Sequence, residues 1–292
     1  MRFVVAGGTG FTGERVVATL ARLGIKTTVV ARQSSDTTGV RLLGASVATA
    51  ELGDSSALMA AFRGHGVLLY VASMGFGHIP GVINAAKAAG IRRAVFVSTT
   101  AVLTSLPVRS KPIRAAAETC VRESGLDWTI IRPTMIYGSS RDRNMSRLLR
   151  HLRRWRIAPV PGRGNALQQP VHVDDVASAI VQAALRDVAI QRDYVASGAH
   201  PLTLRKLIAT AGEAVGIKPV FLPLPSRLSA SALRVIERTG LRLPIRAEQL
   251  DRLNEDKSFC HSAATADLGF MPRHFADGIR AEALELGIAI DQ

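Results

Sequence analysis

The sequence predicts an α/β protein built on a doubly wound parallel sheet. Two observations carry that expectation. Over the first 135 residues short β-branched runs alternate with longer segments of helical periodicity. The runs are also apolar on both faces, as strands covered by helices on both sides must be. At 292 residues the chain is long enough to bury roughly three quarters of its unfolded surface, so it needs no disulfide or metal staple.

The elements follow in order. Strands are expected at Arg2–Ala6, Lys26–Ala31, Ala45–Ala50, Val67–Ala72, Ala94–Ser98 and Trp128–Ile131. Helices are expected near Phe11–Leu23, Ser55–Phe62, Ile79–Ala89 and Pro112–Ser124. After Pro133 the rhythm changes. A helix over Asp142–Trp155 is followed by the Pro/Gly stretch Ala158–Gly164, a strand at Val171–Val173 and a helix over Asp174–Arg186 opened by acids. From about Asp193 the pattern gives short strands and mostly helices, turns at Pro219, Pro223 and Pro225, and a tail helix at Phe275–Leu286. With no clean linker or repeat, residues 1–135 read as a dinucleotide-binding core. Residues 136–292 read as a smaller C-terminal substrate lobe packed on it, the chain crossing back within one compact unit.

Composition narrows the function. Cys120 and Cys260 lie far apart and neither belongs to a CxxC pair, so a disulfide scaffold and a cysteine zinc site are excluded and a reducing compartment is expected. The remaining histidines show no ligand spacing, and no metal is expected. The longest apolar runs reach about a third of the ~20 residues a membrane span needs, so no span is expected and the protein is read as cytoplasmic. The net charge is +14, and six lysines leave 31 of the 37 basic residues as arginine. Such a balance reflects either a GC-rich coding sequence or attraction of anions, and charge alone does not choose between them.

The most informative stretch is Val4-Val-Ala-Gly7-Gly-Thr-Gly10-Phe-Thr-Gly13, which follows an expected strand and opens an expected helix. In that context Gly7 makes the tight turn, Gly10 lets the backbone approach a pyrophosphate and Gly13 packs helix on sheet. The pyrophosphate rests on the helix N-terminus, where free N–H groups and the helix dipole favour negative charge. Thr9, Phe11 and Thr12 complete this cofactor loop, and the fold is Rossmann-type. The second strand runs into Arg32 with no acid until Asp36. A guanidinium there suits the 2′-phosphate of NADP(H), which is favoured, with NAD(H) the other candidate.

These residues resemble the short-chain dehydrogenase/reductase superfamily in its extended and atypical branches, closest to NAD-dependent epimerase/dehydratase-like and NmrA-like proteins. The resemblance covers most of the chain. Its further anchors are Gly53-Asp54, Tyr70–Ser73, Phe96–Thr100, Arg132–Gly138, Pro170–Val176, Asp256–Phe259 and Ala266–Phe270. It implies that Asp54 contacts the adenine, that Ala72 and Ser73 line the nicotinamide ribose, and that the Pro133–Ile136 segment lies by the nicotinamide.

One departure matters. Active members carry Tyr-x-x-x-Lys on the helix before the sixth strand, and aligning that helix puts Arg114 in the lysine position and Ser110 in the tyrosine position. Thr100, with Thr99 the second choice, keeps the family's Ser/Thr role. A serine hydroxyl is too weak an acid to replace a phenol near neutral pH, and an arginine keeps its proton. The usual proton relay is therefore absent or rebuilt, with Tyr137 a candidate that otherwise reads as packing. Thr100, Arg114 and Ser110 are the catalytic candidates.

Arg141–Arg156 holds seven arginines opposite an apolar face of Met145, Leu148, Leu149 and Leu152. An anion-binding face, a solvated face, and contact with nucleic acid or membrane all remain open for it. His172-Val-Asp174-Asp175 reads as structural and His78 as a loop histidine. The expected partner is a small-molecule substrate, with a nucleotide sugar one candidate, and nucleic acid is not expected. The function implied is an NAD(P)-binding oxidoreductase or epimerase/dehydratase with a degenerate site; the alternative is a non-catalytic NADP(H)-sensing regulator or assembly subunit.

Overall fold

A computed structural model describes residues 2–106, 110–224 and 253–288, and the turn expected at Pro225 lies outside them. Its chain divides into two compact units. The first comprises Met1–Thr134, Val173–Ala196 and Cys260–Met271, and the second comprises Met135–His172, Ser197–Phe259 and Pro272–Gln292. The expected 136–292 lobe thus gives up two segments to the sheet unit, because both carry apolar faces that the sheet and its helices bury.

The first unit is a seven-stranded, wholly parallel sheet. Its strands are β1 (Phe3–Ala6), β2 (Thr27–Ala31), β3 (Ser46–Thr49), β4 (Val67–Tyr70), β5 (Arg93–Val97), β6 (Asp127–Pro133) and β11 (Arg192–Ala196). They lie in the order β11-β6-β5-β4-β1-β2-β3. The order reverses at β1, and such a switch point opens a crevice at the strands' C-terminal ends. The helices α1 (Phe11–Arg22), α3 (Ser55–Phe62), α4 (Ile79–Ala88) and α5 (Lys111–Arg122) fall close to the expected spans, the short α2 (Thr38–Leu42) was not expected, and α7 (Val173–Leu185) packs against α1. Every residue of β1, β4 and β5 is buried, which explains their unbroken apolar reading.

Two arginines are spent on this unit's interior. Arg93 is buried and donates to the carbonyls of Asp127 and Ala183 and to the Thr129 hydroxyl. Arg132 makes a two-pronged pair with Glu118, at 2.9 and 2.7 Å, and also reaches Asp193 at 2.9 Å; Arg122 joins both acids. Burial is the largest single influence and pushes the Glu118 carboxyl up, but the hydrogen bonds from Arg132, Ser98 and Arg122 and the Arg132 charge together hold the group below the usual carboxylate range.

The second unit holds β7 (Ile136–Tyr137) paired with β10 (Val171–His172), β9 (Leu167–Gln168) with β12 (Leu202–Thr203), and β8 (Ile157–Pro161) with β13 (Val220–Leu224). Around them lie α6 (Met145–Trp155), α8 (Leu204–Ala214) and α10 (Phe275–Glu285), while α9 (Ser262–Leu268) belongs to the first unit. The helix expected from Asp142 starts three residues later. Asp142 is its cap, accepting the amides of Asn144, Met145 and Ser146.

A second carboxyl stands beside that cap. Glu282, 1% exposed, accepts the Gly138 N–H at 2.9 Å, and burial, then the Asp142 charge, push it up to about 8. Glu282 therefore folds protonated at neutral pH. A folded value above the unfolded one gives stability that is complete below the unfolded pKa and is lost as pH rises through the folded value. The Glu282→Gln variant keeps the acceptor and stays neutral. It is expected to melt at a higher temperature than the parent near pH 9 and to flatten the fall in stability between about pH 5 and 9. Parallel melting curves for the two proteins across that range would contradict the assignment.

Candidate functional site

The C-terminal ends of β1, β2 and β4 build the site from the backbone outward. After Ala6 the chain turns at Gly7 (φ +86°), where an added Cβ would lie 2.6 Å from the Ala72 nitrogen and force apart the loop and the end of β4. At Gly13 an added Cβ would come within 2.0 Å of the Gly7 carbonyl oxygen and 2.7 Å of the Gly8 Cα, so the loop closes tightly on the first turn of α1. Gly10 is different. Its backbone (φ −78°, ψ 169°) suits any residue, and its Cβ would meet only the Gly7 oxygen, at 3.3 Å.

Gly10 is also the N-cap of the twelve-residue α1, and no side chain caps it. That end presents backbone amides and the positive end of the helix dipole. Two glycines are required by the fold and the third leaves the outer side of the turn bare, as a pyrophosphate cradle needs. The residues fit a dinucleotide.

The other expected cofactor residues are placed as follows. Arg32 is exposed immediately after β2. Asp54 caps α3, accepting the amides of Ser56 and Ala57 and the Ser56 hydroxyl. The hydrogen bond from Ala57 is the largest cause holding its carboxyl below the usual value. The Ala72 amide donates to the Ala6 carbonyl, and the Ser73 hydroxyl accepts the Gly75 amide at 3.2 Å. Pro133 ends β6 in the first unit, and Ile136 opens β7 in the second.

Arg114 reaches this edge from α5. A Cβ added to Gly75 would lie 3.2 Å from the Arg114 Nε and 3.4 Å from the Ser73 Oγ, so the guanidinium lies across the turn that carries Ser73. Ser110 stands at the start of the same helix as its N-cap residue, and the Arg114 amide donates to its carbonyl. Thr100 is buried, and its hydroxyl donates to the Pro133 carbonyl at 3.3 Å; Thr99 is half-buried and caps the short turn that follows.

No tyrosine stands ready as a general acid. The chain has three, at 70, 137 and 194, and all are buried. Burial pushes the Tyr70 phenol up to about 12. Tyr194, raised by burial, donates to Asp267 at 2.8 Å. Tyr137, the sequence candidate, is wholly enclosed in the second unit, its ring against His172 and Phe275. His172 is itself buried, and Asp174 sits in the first turn of α7, 3.7 Å from Arg15. A cavity of about 490 Å³ between α4 and α5, lined by Ile83, Asn84, Lys87, Thr119 and Cys120 among others, includes none of the expected site residues.

A family model described as NAD(P)H-binding matches residues 7–187, more than half of the sequence, and the chain belongs to that family. The resemblance to epimerase/dehydratase-like proteins is matched in fold by solved epimerase structures. Among curated proteins it is 26% identical, over 81% of its length and 80% of the relative's, to a 4-hydroxy-2-methyl-3-oxo-4-farnesyl-3,4-dihydroquinoline-1-oxide ketoreductase of Stigmatella aurantiaca. It is also 26% identical, over 90% of its length and 70% of the relative's, to the mitochondrial NADH dehydrogenase [ubiquinone] 1 alpha subcomplex subunit 9 of Arabidopsis thaliana. A nucleoside-diphosphate-sugar epimerase from Pseudomonas aeruginosa superposes with a TM-score of 0.82 at 18% identity, covering 98% of this chain and 97% of the other, and shares the fold. Among the described residues no helix is long and apolar enough to cross a membrane.

Proposed function

We propose that the chain is a cytoplasmic NADP(H)-dependent reductase of a ketone on a small substrate. The observation that carries this reading is the bare turn at Gly10 on the N-terminus of α1, with Arg114 laid over Ser73 at the same sheet edge. The amides of Phe11 to Gly13, with the Thr9 and Thr12 hydroxyls, would hold the pyrophosphate, Asp54 the adenine, and Ala72 and Ser73 the nicotinamide ribose. Bound NADPH would supply a hydride. The part left to the chain is to bind the substrate oxygen as negative charge builds on it, and Arg114 brings donors that do not titrate near neutral pH. With every phenol buried, the proton comes from solvent. Ser110 lies one turn before Arg114 and would help to orient the substrate. Thr100, its own proton given to Pro133, would act as an acceptor only.

The ketoreductase relative supports a ketone substrate, and the shared fold of the epimerase keeps nucleotide sugars in the test panel. Loss of NADPH absorbance is followed across ketones and nucleotide sugars. Turnover of a ketone is the expected result. Saturable cofactor binding without turnover of any substrate would instead favour a sensing or assembly subunit, a reading supported by the missing exposed tyrosine and by the plant relative's name.

Arg32 is the basis for choosing NADP(H). The Arg32→Ala variant is expected to weaken NADPH binding by about tenfold to a hundredfold, the loss of a charge-assisted pair, and to leave NADH binding within a few-fold. Equal losses for the two nucleotides would remove Arg32 from the site.

A further inference from the structure

The second unit carries an exposed face that neither the cofactor nor the substrate reading uses. In the parallel pair β8–β13, Ile157 lies opposite Val220 and Pro159 opposite Leu222. The alternate residues Ala158 and Val160 turn inward, and Phe221 is covered by the Arg205 guanidinium at 4.1 Å. One side of the ribbon is therefore aliphatic and open, with Ile157 47%, Val220 65% and Leu222 52% exposed. Trp155, 58% exposed, ends α6 just before the ribbon starts, and the His151 ring bonds the Ile157 carbonyl at 2.8 Å, tying helix to strand.

Cations flank this face. Arg147, Arg150, Arg153 and Arg154 are exposed on α6, which contains no acidic residue, and Arg156 and Lys218 are exposed beside the two strands. The Arg154 guanidinium sits 5.1 Å over the Trp155 ring, which sets a cation beside an amphipathic aromatic.

We infer that this face, the outer side of β8–β13 with the arginine side of α6, docks the protein on an anionic lipid membrane. A tryptophan and aliphatic side chains between cations match a surface whose negative headgroups overlie hydrocarbon. Nucleic acid answers the arginines but makes no use of Ile157, Val220 and Leu222, and a single tryptophan is a poor platform for stacking bases.

The test uses the full chain and vesicles of phosphatidylcholine, with and without phosphatidylglycerol. Co-sedimentation with the anionic vesicles alone is expected, weakened by salt and accompanied by a blue shift in tryptophan emission. Trp128 is buried, so the shift reports Trp155. The pair Arg150→Glu and Arg154→Glu is expected to lower partitioning by about thirtyfold. The pair Ile157→Ser and Val220→Ser is expected to lower it while leaving the salt dependence in place. Unchanged NADPH binding and melting temperature would show that these exposed substitutions leave the fold intact. Equal binding to neutral vesicles, no binding to either kind, or partitioning indifferent to both pairs would overturn the inference. So would DNA binding that needs the arginines and tolerates both serines, which would assign the face to nucleic acid.

Discussion

Replacing Gly10 with valine is expected to leave the folded chain intact and to weaken NADPH binding about a hundredfold or more, a loss on the order of 3 kcal/mol. The extended backbone at Gly10 accepts a β-branched residue, and the new Cβ meets only the Gly7 oxygen, at 3.3 Å. Its bulk would stand where the phosphates must approach the amides of α1. Gly13→Ala should behave in the opposite way. With backbone atoms at 2.0 and 2.7 Å from the new Cβ, the turn itself must open, at a cost of several kcal/mol of stability. Thermal melts and cofactor titrations on both variants separate the two roles. A Gly10→Val protein that binds NADPH as the parent does would contradict the cradle.

Arg114→Ala is expected to cut turnover of a ketone substrate by about a hundredfold to a thousandfold, the usual consequence of removing one donor to a developing oxyanion. NADPH affinity should change by only a few-fold, because the phosphates are held by the loop rather than by α5. Arg114→Lys should recover part of the rate, since an ammonium restores the charge without the planar fork. Gly75 supplies a second check. An added Cβ at Gly75 would lie 3.2 Å from the Arg114 Nε, so the bulkier Gly75→Val side chain is expected to displace Arg114, and its turnover should fall towards that of Arg114→Ala. Turnover unchanged in Arg114→Ala would remove this residue from the chemistry.

The sheet unit was the readily legible part of the sequence, because a buried parallel strand must be apolar on both faces and must be followed by a helix. The seventh strand, β11, lacked that signature. Arg192 and Asp193 open it at the sheet edge, and Asp193 serves the Arg122 and Arg132 pairs instead of the core. The five-residue α2 was too short to show a period. Asp142 looked like the first residue of a helix, but its short carboxylate works better as the cap, collecting amides ahead of the first turn.

At the site, the glycine spacing identifies the turn, while only the folded geometry separates the two glycines the fold requires from the one that leaves space. Arg114 was found through the family's pattern, and its proximity to Ser73 comes from packing between α5 and the end of β4. Glu282 gave no signal at all. Its partners at Gly138 and Asp142 lie some 140 residues away, a separation that no local pattern on the tail helix reveals.

Calorimetric titration of the purified chain with NADPH reaches the central claim most directly. The turn from β1 into α1 predicts saturable binding of one nucleotide per chain, with a lower affinity for NADH. Heats that never rise above dilution for either nucleotide, with the chain still folded, would contradict it.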